Sequence, residues 1–290
     1  MTILCIGSVN IDNTHRVTTH PGPGETVLDK GHLRGLGGKG ANMSLAAAAA
    51  GARVAHAGAV GSDGDWCRNQ IADRDIDVSD LSTVDAATGH AIIMVDDAAE
   101  NVIVVHSGAN MALSQDLIDQ AISRRSPGDW LLLQNETNLV PEAAAAGQAA
   151  GLKVAYAAAP FDAEAVARVL PHTDLLAVNQ IEAEQLSAHL GQSLDALNVP
   201  AILITLGSEG ARYRADGEEI QTPAFQVDAV DTTGAGDTFL GFFLAGIDLQ
   251  QTPDKALRRA AAAAALQVTR PGAGDAIPSL EELEAFLSGR

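Results

Sequence analysis

Aromatic side chains are scarce in this chain of 290 residues, at 3%, which argues against a pocket built on aromatic stacking. Positive charge is also short. The 18 basic residues stand against 37 acidic ones, and the net charge of -19 opposes nucleic acid and anionic membrane as partners. An anionic substrate must therefore be captured by a local site, and Lys39, inside a glycine cluster, stands out among few lysines. Long apolar runs are missing. Leu45 to Ala50 and Ala260 to Leu266 fall far short of a membrane span and read as tightly packed core helices. The two cysteines, Cys5 and Cys67, have no motif spacing, so reduced thiols in a cytoplasm are expected, not a disulfide framework or a metal site. An apolar strand pattern begins at Ile3 without a basic leader, so no signal peptide is expected. Hydrophobic content of 47% is ample for one large core.

The stretch that organises the rest runs from Val230 to Ala245, V-D-T-T-G-A-G-D-T-F-L-G-F-F-L-A. Gly234 and Gly236 let backbone N–H groups crowd at the start of a helix, where unpaired amides and the helix dipole favour negative charge. Asp237 sits in that corner, and a carboxylate helped to stay ionised there can accept a proton from a substrate hydroxyl. The same residues also fit a plain Gly-rich turn with an ordinary first-turn Asp.

Ahead of it, Ile3 to Gly7 reads as a buried strand that delivers Asn10 and Asp12 into a loop. Thr14 to Lys30, rich in Pro, Gly and Thr, is expected to be irregular or an edge hairpin. Gly35 to Asn42 leads into a helix, Met43 to Ala50, ended by Gly51. His90 to Val95 and Asn101 to Val105 form a hairpin pattern, and from Ser114 onward apolar runs alternate with helical stretches, the mark of parallel strands with helical crossovers. A second hairpin is expected around Asp216-Gly217. Asn179 and Glu182 match an N-cap and capping-box pair, and Glu136 after an apolar strand fits a helix cap. His15, His20, His32, His90 and His106 show no ligand spacing. The whole predicts an α/β fold: a three-layer sandwich with a mostly parallel central sheet, residues 1–290 as one domain, and a small β appendage built from about 12–32 and 90–106.

G-G-K-G-A-N at 37–42 and D-T-T-G-A-G-D-T-F at 231–239 resemble the two signature regions of the ribokinase-like (PfkB) sugar kinases. Further matches lie between and around them: N-I-D at 10–12, E-N-V-I-V-V-H-S-G-A-N at 100–110, L-L-Q-N-E at 132–136, N-Q-I-E at 179–182, I-T-L-G-S-E-G at 204–210 and V-T-R-P-G-A at 268–273. The resemblance spans nearly the whole chain. It implies transfer of the ATP γ-phosphoryl group to a sugar hydroxyl, D-ribose first among the acceptors.

On that resemblance Asn10, Asp12, Gly38, Lys39, Asn42 and Glu136 would hold the sugar, because amides and carboxylates take both ends of vicinal diols. Asp237 would be the base, and the amides of Gly234, Ala235 and Gly236 would stabilise the transferring phosphoryl group. Asn179 and Glu182 would organise Mg²⁺ and the ATP phosphates, with Glu182 reaching the ion through water. Thr205, Gly207 and Ser208 would lie along the nucleotide. A monovalent cation, K⁺, would sit between Asp231, the Thr233 carbonyl and carbonyls of the Arg270 to Gly274 loop, Ala273 among them. The β appendage would act as a lid and pair with the lid of a second subunit into a homodimer.

The chain departs from the family pattern at three places. Ala157-Ala158-Ala159-Pro160 lacks the asparagine that members carry near the phosphates, Ala276 replaces a serine near the cation, and the connection Gly191 to Pro200 is short. A ketose, sugar acid or nucleoside acceptor, or a non-catalytic sugar- or nucleotide-binding protein on the same fold, stays open as an alternative.

Overall fold

The computed structural model describes residues 1–98 and 100–289. In chain order, β1 (Thr2–Ile6), β2 (Asn10–Arg16) and β3 (Gly31–Gly37) precede α1 (Lys39–Ala49), β4 (Arg53–Val60), α2 (Asp65–Ala72) and β5 (Asp77–Thr83). Then come β6 (Gly89–Val95), β7 (Asn101–His106), α3 (Gln115–Ser123), β8 (Trp130–Gln134), α4 (Val140–Ala149), β9 (Lys153–Ala157), α5 (Ala163–Val169) and β10 (Leu175–Asn179). The chain closes with α6 (Gln180–Leu190), β11 (Ala201–Thr205), β12 (Ala211–Ala215), β13 (Glu218–Thr222), α7 (Ala235–Asp248), α8 (Pro253–Gln267) and α9 (Leu280–Ser288).

Nine strands form the large sheet in the order β13-β12-β11-β10-β9-β8-β1-β4-β5, and four form a separate sheet in the order β3-β2-β6-β7. In the large sheet β11 to β5 run parallel, while β12 and β13 turn antiparallel. Successive residues of β1 face opposite layers, as the strand period of two requires. Ile3 and Cys5 join the core of α1, α7 and α8, whereas Leu4 and Ile6 join the core of α3, α4, α5 and α6. The result is the expected three-layer α/β sandwich with a smaller β-sheet attached. Among the described residues no helix is long and apolar enough to cross a membrane.

Two helices approach each other closely because of small residues. A Cβ on Gly241 of α7 would fall 2.5 Å from the Ala46 Cβ and 2.8 Å from the Met43 carbonyl oxygen of α1. No larger side chain fits between them, so the helix starts at Lys39 and Ala235 are held as one unit.

Some local expectations change. Asn10 and Asp12 lie not in a loop but on β2, which pairs with β3 on one side and β6 on the other. Two-sided pairing gives this polar segment its backbone hydrogen bonds, which composition does not reveal. The small sheet covers 10–16, 31–37, 89–95 and 101–106, so it begins earlier and extends further than the expected 12–32 and 90–106. Strand β5 is absent from the sequence reading, since D-V-S-D-L-S-T is polar at the sheet edge. The Asp216-Gly217 hairpin is as expected, both residues taking positive φ of 52° and 78°.

Candidate active site

The carboxyl ends of β1, β8, β9, β10 and β11 open onto one groove, the usual place for a ligand in a parallel α/β sheet. Past β1, the buried Ser8 hydroxyl donates to Glu136 Oε2 at 2.5 Å and accepts the Gly40 N–H at 3.1 Å. The same Glu136 oxygen accepts the Lys39 N–H at 2.9 Å. Glu136 is therefore tied to the first turn of α1 and leaves Oε1 for a ligand. The cap of the next helix falls to Leu139, not to Glu136. Asn10 is fixed in a similar way, its Oδ1 accepting Asn110 Nδ2 at 2.7 Å while Asn110 Oδ1 accepts the Val9 N–H at 2.9 Å. Ser8 and Asn110 are the residues that motif reading passed over: Asn110 ends the matched segment 100–110 without a role attached, and Ser8 lies just ahead of the one at 10–12.

Glycines make room for these side chains. A Cβ on Gly37 would fall 2.1 Å from Asp12 Oδ2, and Gly38, at a φ of 93°, would place one 2.9 Å from the Asn10 nitrogen. Asp12 is pushed up to about 6 by burial, with repulsion from Glu136 and Asp237 adding to it.

Asp237 occupies the first turn of α7, buried, and its Oδ2 accepts Asn42 Nδ2 at 3.0 Å. Burial pushes its carboxyl up to about 6, against the pull of the Lys39 ammonium and the Asn42 hydrogen bond. Lys39 is in turn held above its ordinary range, first by Asp237, with burial opposing and Glu136 and Glu182 supporting. Three carboxylates thus share one lysine. This balance leaves a carboxylate that is ionised at neutral pH and a stronger base than an exposed Asp.

Next to Asp237 lies a cavity of about 260 Å³ lined by Lys39, Asn179, Glu182, Gly234 and Gly236. Ala157, Ala159 and Ala177 form its floor, so the departure at Ala157 leaves the wall there without a polar group. Asn179 and Glu182 form the capping box of α6, with the Asn179 N–H on Glu182 Oε2 at 2.8 Å and the Glu182 N–H on Asn179 Oδ1 at 2.8 Å. The cap and a place on the cavity wall coexist. Thr205, Thr232, Ala235 and Gly236 are shared with a second, mostly apolar cavity of about 330 Å³ that reaches Gly207, Ser208, Phe239 and Ala264.

Behind the corner, Asp231 Oδ1 accepts the Thr233 N–H and Oδ2 the Gly272 N–H, both at 2.9 Å. Gln267 Nε2 donates to the Thr233 carbonyl at 2.8 Å and to the Ala273 carbonyl at 3.4 Å. The Arg270 side chain turns outward to Glu282, 2.6 Å away. Of the expected residues, Lys39, Asn179, Glu182, Thr205, Gly234, Ala235, Gly236 and Asp237 line the first cavity, and Thr205, Gly207 and Ser208 the second; Asn10, Asp12, Gly38, Asn42 and Glu136 line neither, but Asn42 is bonded to Asp237 and Glu136 to the Lys39 N–H.

A buried carboxylate at the head of a helix, beside a lysine and glycine amides and next to a mostly apolar cavity, is an arrangement that suits transfer of a phosphoryl group. The chain belongs to the pfkB family of carbohydrate kinases, whose family model matches residues 2–280. It is 36% identical to a ribokinase of Haemophilus influenzae, over 99% of this chain and 98% of the relative. It is 31% identical to a deoxyribokinase of Salmonella typhi, over 99% of each chain. The structure of Arabidopsis thaliana ribokinase with ribose and ATP superposes with a TM-score of 0.83 at 28% identity, covering 98% of both chains.

Proposed function

We propose that the chain transfers the γ-phosphoryl group of ATP to D-ribose, giving D-ribose 5-phosphate and ADP. The observation that carries this reading is Asp237, buried at the head of α7, held by Asn42, and facing the cavity that Lys39 and the glycine amides also line. Asn10, Asp12, Gly38, Asn42 and Glu136 hold the sugar hydroxyls. A buried carboxylate or amide that loses its hydroxyl partner is left unpaired, which is how such a pocket selects a polyol.

Asp237 Oδ1 takes the proton of the acceptor hydroxyl as its oxygen attacks the γ-phosphorus. The bond to the bridging oxygen breaks, and ADP leaves with the electron pair. The amides of Gly234, Ala235 and Gly236 and the Lys39 ammonium take up charge on the transferring group. The adenine and ribose of ATP occupy the apolar cavity beside Thr205, Gly207 and Ser208. Glu182, which lines the cavity with Oε2 on the Asn179 N–H, suits a water-held Mg²⁺, and Asn179 supports it; the ion would neutralise the ATP phosphates when bound. Among the described residues no group of three or more His, Cys, Asp or Glu side chains is placed so as to hold a metal ion.

The small sheet acts as a lid over the sugar. Val104 on its edge strand β7 is 60% exposed and Val105 54%, and the lid pairs with that of a second subunit. Cytoplasmic location is part of the same reading, supported by Cys5 and Cys67 being free thiols. A second acceptor, 2-deoxy-D-ribose, is favoured by the deoxyribokinase relative. ADP release measured with ribose, 2-deoxyribose, ketoses and nucleosides decides among them: ribose is expected to give the highest kcat/KM, and no turnover with any acceptor would defeat the kinase reading.

A further inference from the structure

The family resemblance implies a monovalent cation bound by Asp231, the Thr233 carbonyl and carbonyls of the loop around Ala273. The donor set does not suit one. A cation of this kind is held by free oxygen lone pairs, as rings of backbone carbonyls hold K⁺ in channels. Here the Thr233 carbonyl accepts Gln267 Nε2 at 2.8 Å. The Ala273 carbonyl accepts two N–H groups, Gln267 Nε2 at 3.4 Å and the Ala276 backbone at 3.1 Å. Each Asp231 oxygen takes a backbone N–H, from Thr233 and from Gly272, which ties the carboxylate to the two loops and leaves it one lone pair on each oxygen, so the misfit lies at the two carbonyls that the Gln267 amide bridges. Ala276 adds no hydroxyl.

Gln267 is wholly buried at the end of α8. Its Oε1 has no hydrogen-bond partner among the described residues, while both contacts of Nε2 are carbonyl oxygens. Turning the amide over would set Oε1 against those two carbonyls, so the nitrogen is kept in place by them. The nitrogen also lies directly behind the corner: a Cβ on Gly234 would fall 3.0 Å from it.

We propose that the Gln267 side-chain amide takes the place of the monovalent cation, clipping the Thr233–Gly234 turn to the Ala273 loop, so that the anion corner is preset and turnover is independent of K⁺. A cation would draw the two loops together by attracting their carbonyls. Two N–H bonds do the same, without an ion that must be bound first. Gln267 is a positioning residue, because it acts through the Gly234 turn and touches no reactant.

The inference rests on the kinase reading, and its test includes a measurement that does not. Turnover is compared in potassium, sodium and tetramethylammonium chloride at equal ionic strength, and wild-type rates are expected to agree within about two-fold. Gln267→Ala, which removes the clip and leaves space among the carbonyls, is expected to be slow in tetramethylammonium and to recover in potassium. Gln267→Glu replaces the donors by a carboxylate, and its melting temperature is expected to rise with potassium while that of the wild type does not. These melting curves need no substrate, and they decide the inference even if Gln267→Ala fails to fold or no acceptor is turned over. Several-fold activation of the wild type by potassium over tetramethylammonium, or potassium-specific stabilisation of the wild type, would overturn it.

Discussion

Asn42 and Asp237, 195 residues apart in sequence, meet at 3.0 Å where the first turns of α1 and α7 come together. The amide donates to Oδ2, which fixes the carboxylate on the wall of the cavity. With Lys39 it also offsets part of the burial that would otherwise keep the group protonated.

Replacing Asp237 by Asn keeps the shape and removes the base. Turnover is expected to fall by about 10³-fold with sugar affinity within a few-fold, measured by steady-state rates and by calorimetric titration of the sugar. The same change should stabilise the fold. Asp237 has its folded pKa raised from 3.8 to about 6, so between these values the folded state holds more protons than the unfolded one, and stability falls as pH rises through the window. Asp237→Asn is therefore expected to melt higher than wild type above about pH 6, by up to roughly 3 kcal/mol, with the gain gone below about pH 4. A variant both inactive and no more stable at neutral pH would contradict the assignment.

The base must be ionised, so kcat/KM should drop on the acid side near pH 6, where both Asp237 and Asp12 are pushed. The limb belongs to the coupled group, not to one residue. Removing the lysine charge removes the pull that lowers Asp237. Lys39→Met should therefore move the limb to higher pH by about one unit, read from full pH–rate profiles. A shift to lower pH would mean that Lys39 is not the neighbour that keeps the base ionised.

Two glycines in α7 separate the anion corner from a plain turn. A Cβ on Gly236 meets no atom within 4 Å, whereas one on Gly241 would press into α1. Gly236→Ala is expected to fold with an unchanged or slightly raised melting temperature yet lose about 10²-fold in kcat/KM for ATP, because the methyl group stands where the phosphates approach. Gly241→Val is expected to lose about 1–3 kcal/mol of stability and, by parting α7 from α1, activity as well. Full activity in Gly236→Ala would return the stretch to an ordinary turn.

Ser8 holds Glu136 and the Gly40 N–H at once. Ser8→Ala should raise KM for the sugar about ten-fold with kcat within a few-fold, and cost about 1–3 kcal/mol from the unpaired Gly40 N–H. Equal loss in kcat and no change in KM would place Glu136 on the phosphate side instead.

The sequence showed most clearly what is local. Gly234 to Asp237 as a helix head, Asp216-Gly217 as a hairpin, and Asn179 with Glu182 as a capping box each depend on spacings of a few residues, which the chain displays directly. The alternation of strands and helices carried the three-layer fold. Contacts between distant segments were another matter. Ser8 reaches Glu136 across 128 residues and Gln267 reaches Thr233 across 34, and neither side chain has a local pattern that sets it apart. Asn10 and Asp12 looked like loop residues because their strand is made of polar side chains and owes its form to neighbours on both sides. Roles came from the family motif, and partners came only from the packing.

The most direct measurement is the identity of the product. Ribose and ATP are incubated with the enzyme, and the product is examined by phosphorus–proton correlation NMR. Coupling of the new phosphate to the two protons on C5 is the expected result, with one ADP formed per phosphate transferred. A phosphate coupled to the proton on C1, or ADP formed with no sugar phosphate, would contradict the assignment of Asp237 to the 5-hydroxyl of ribose.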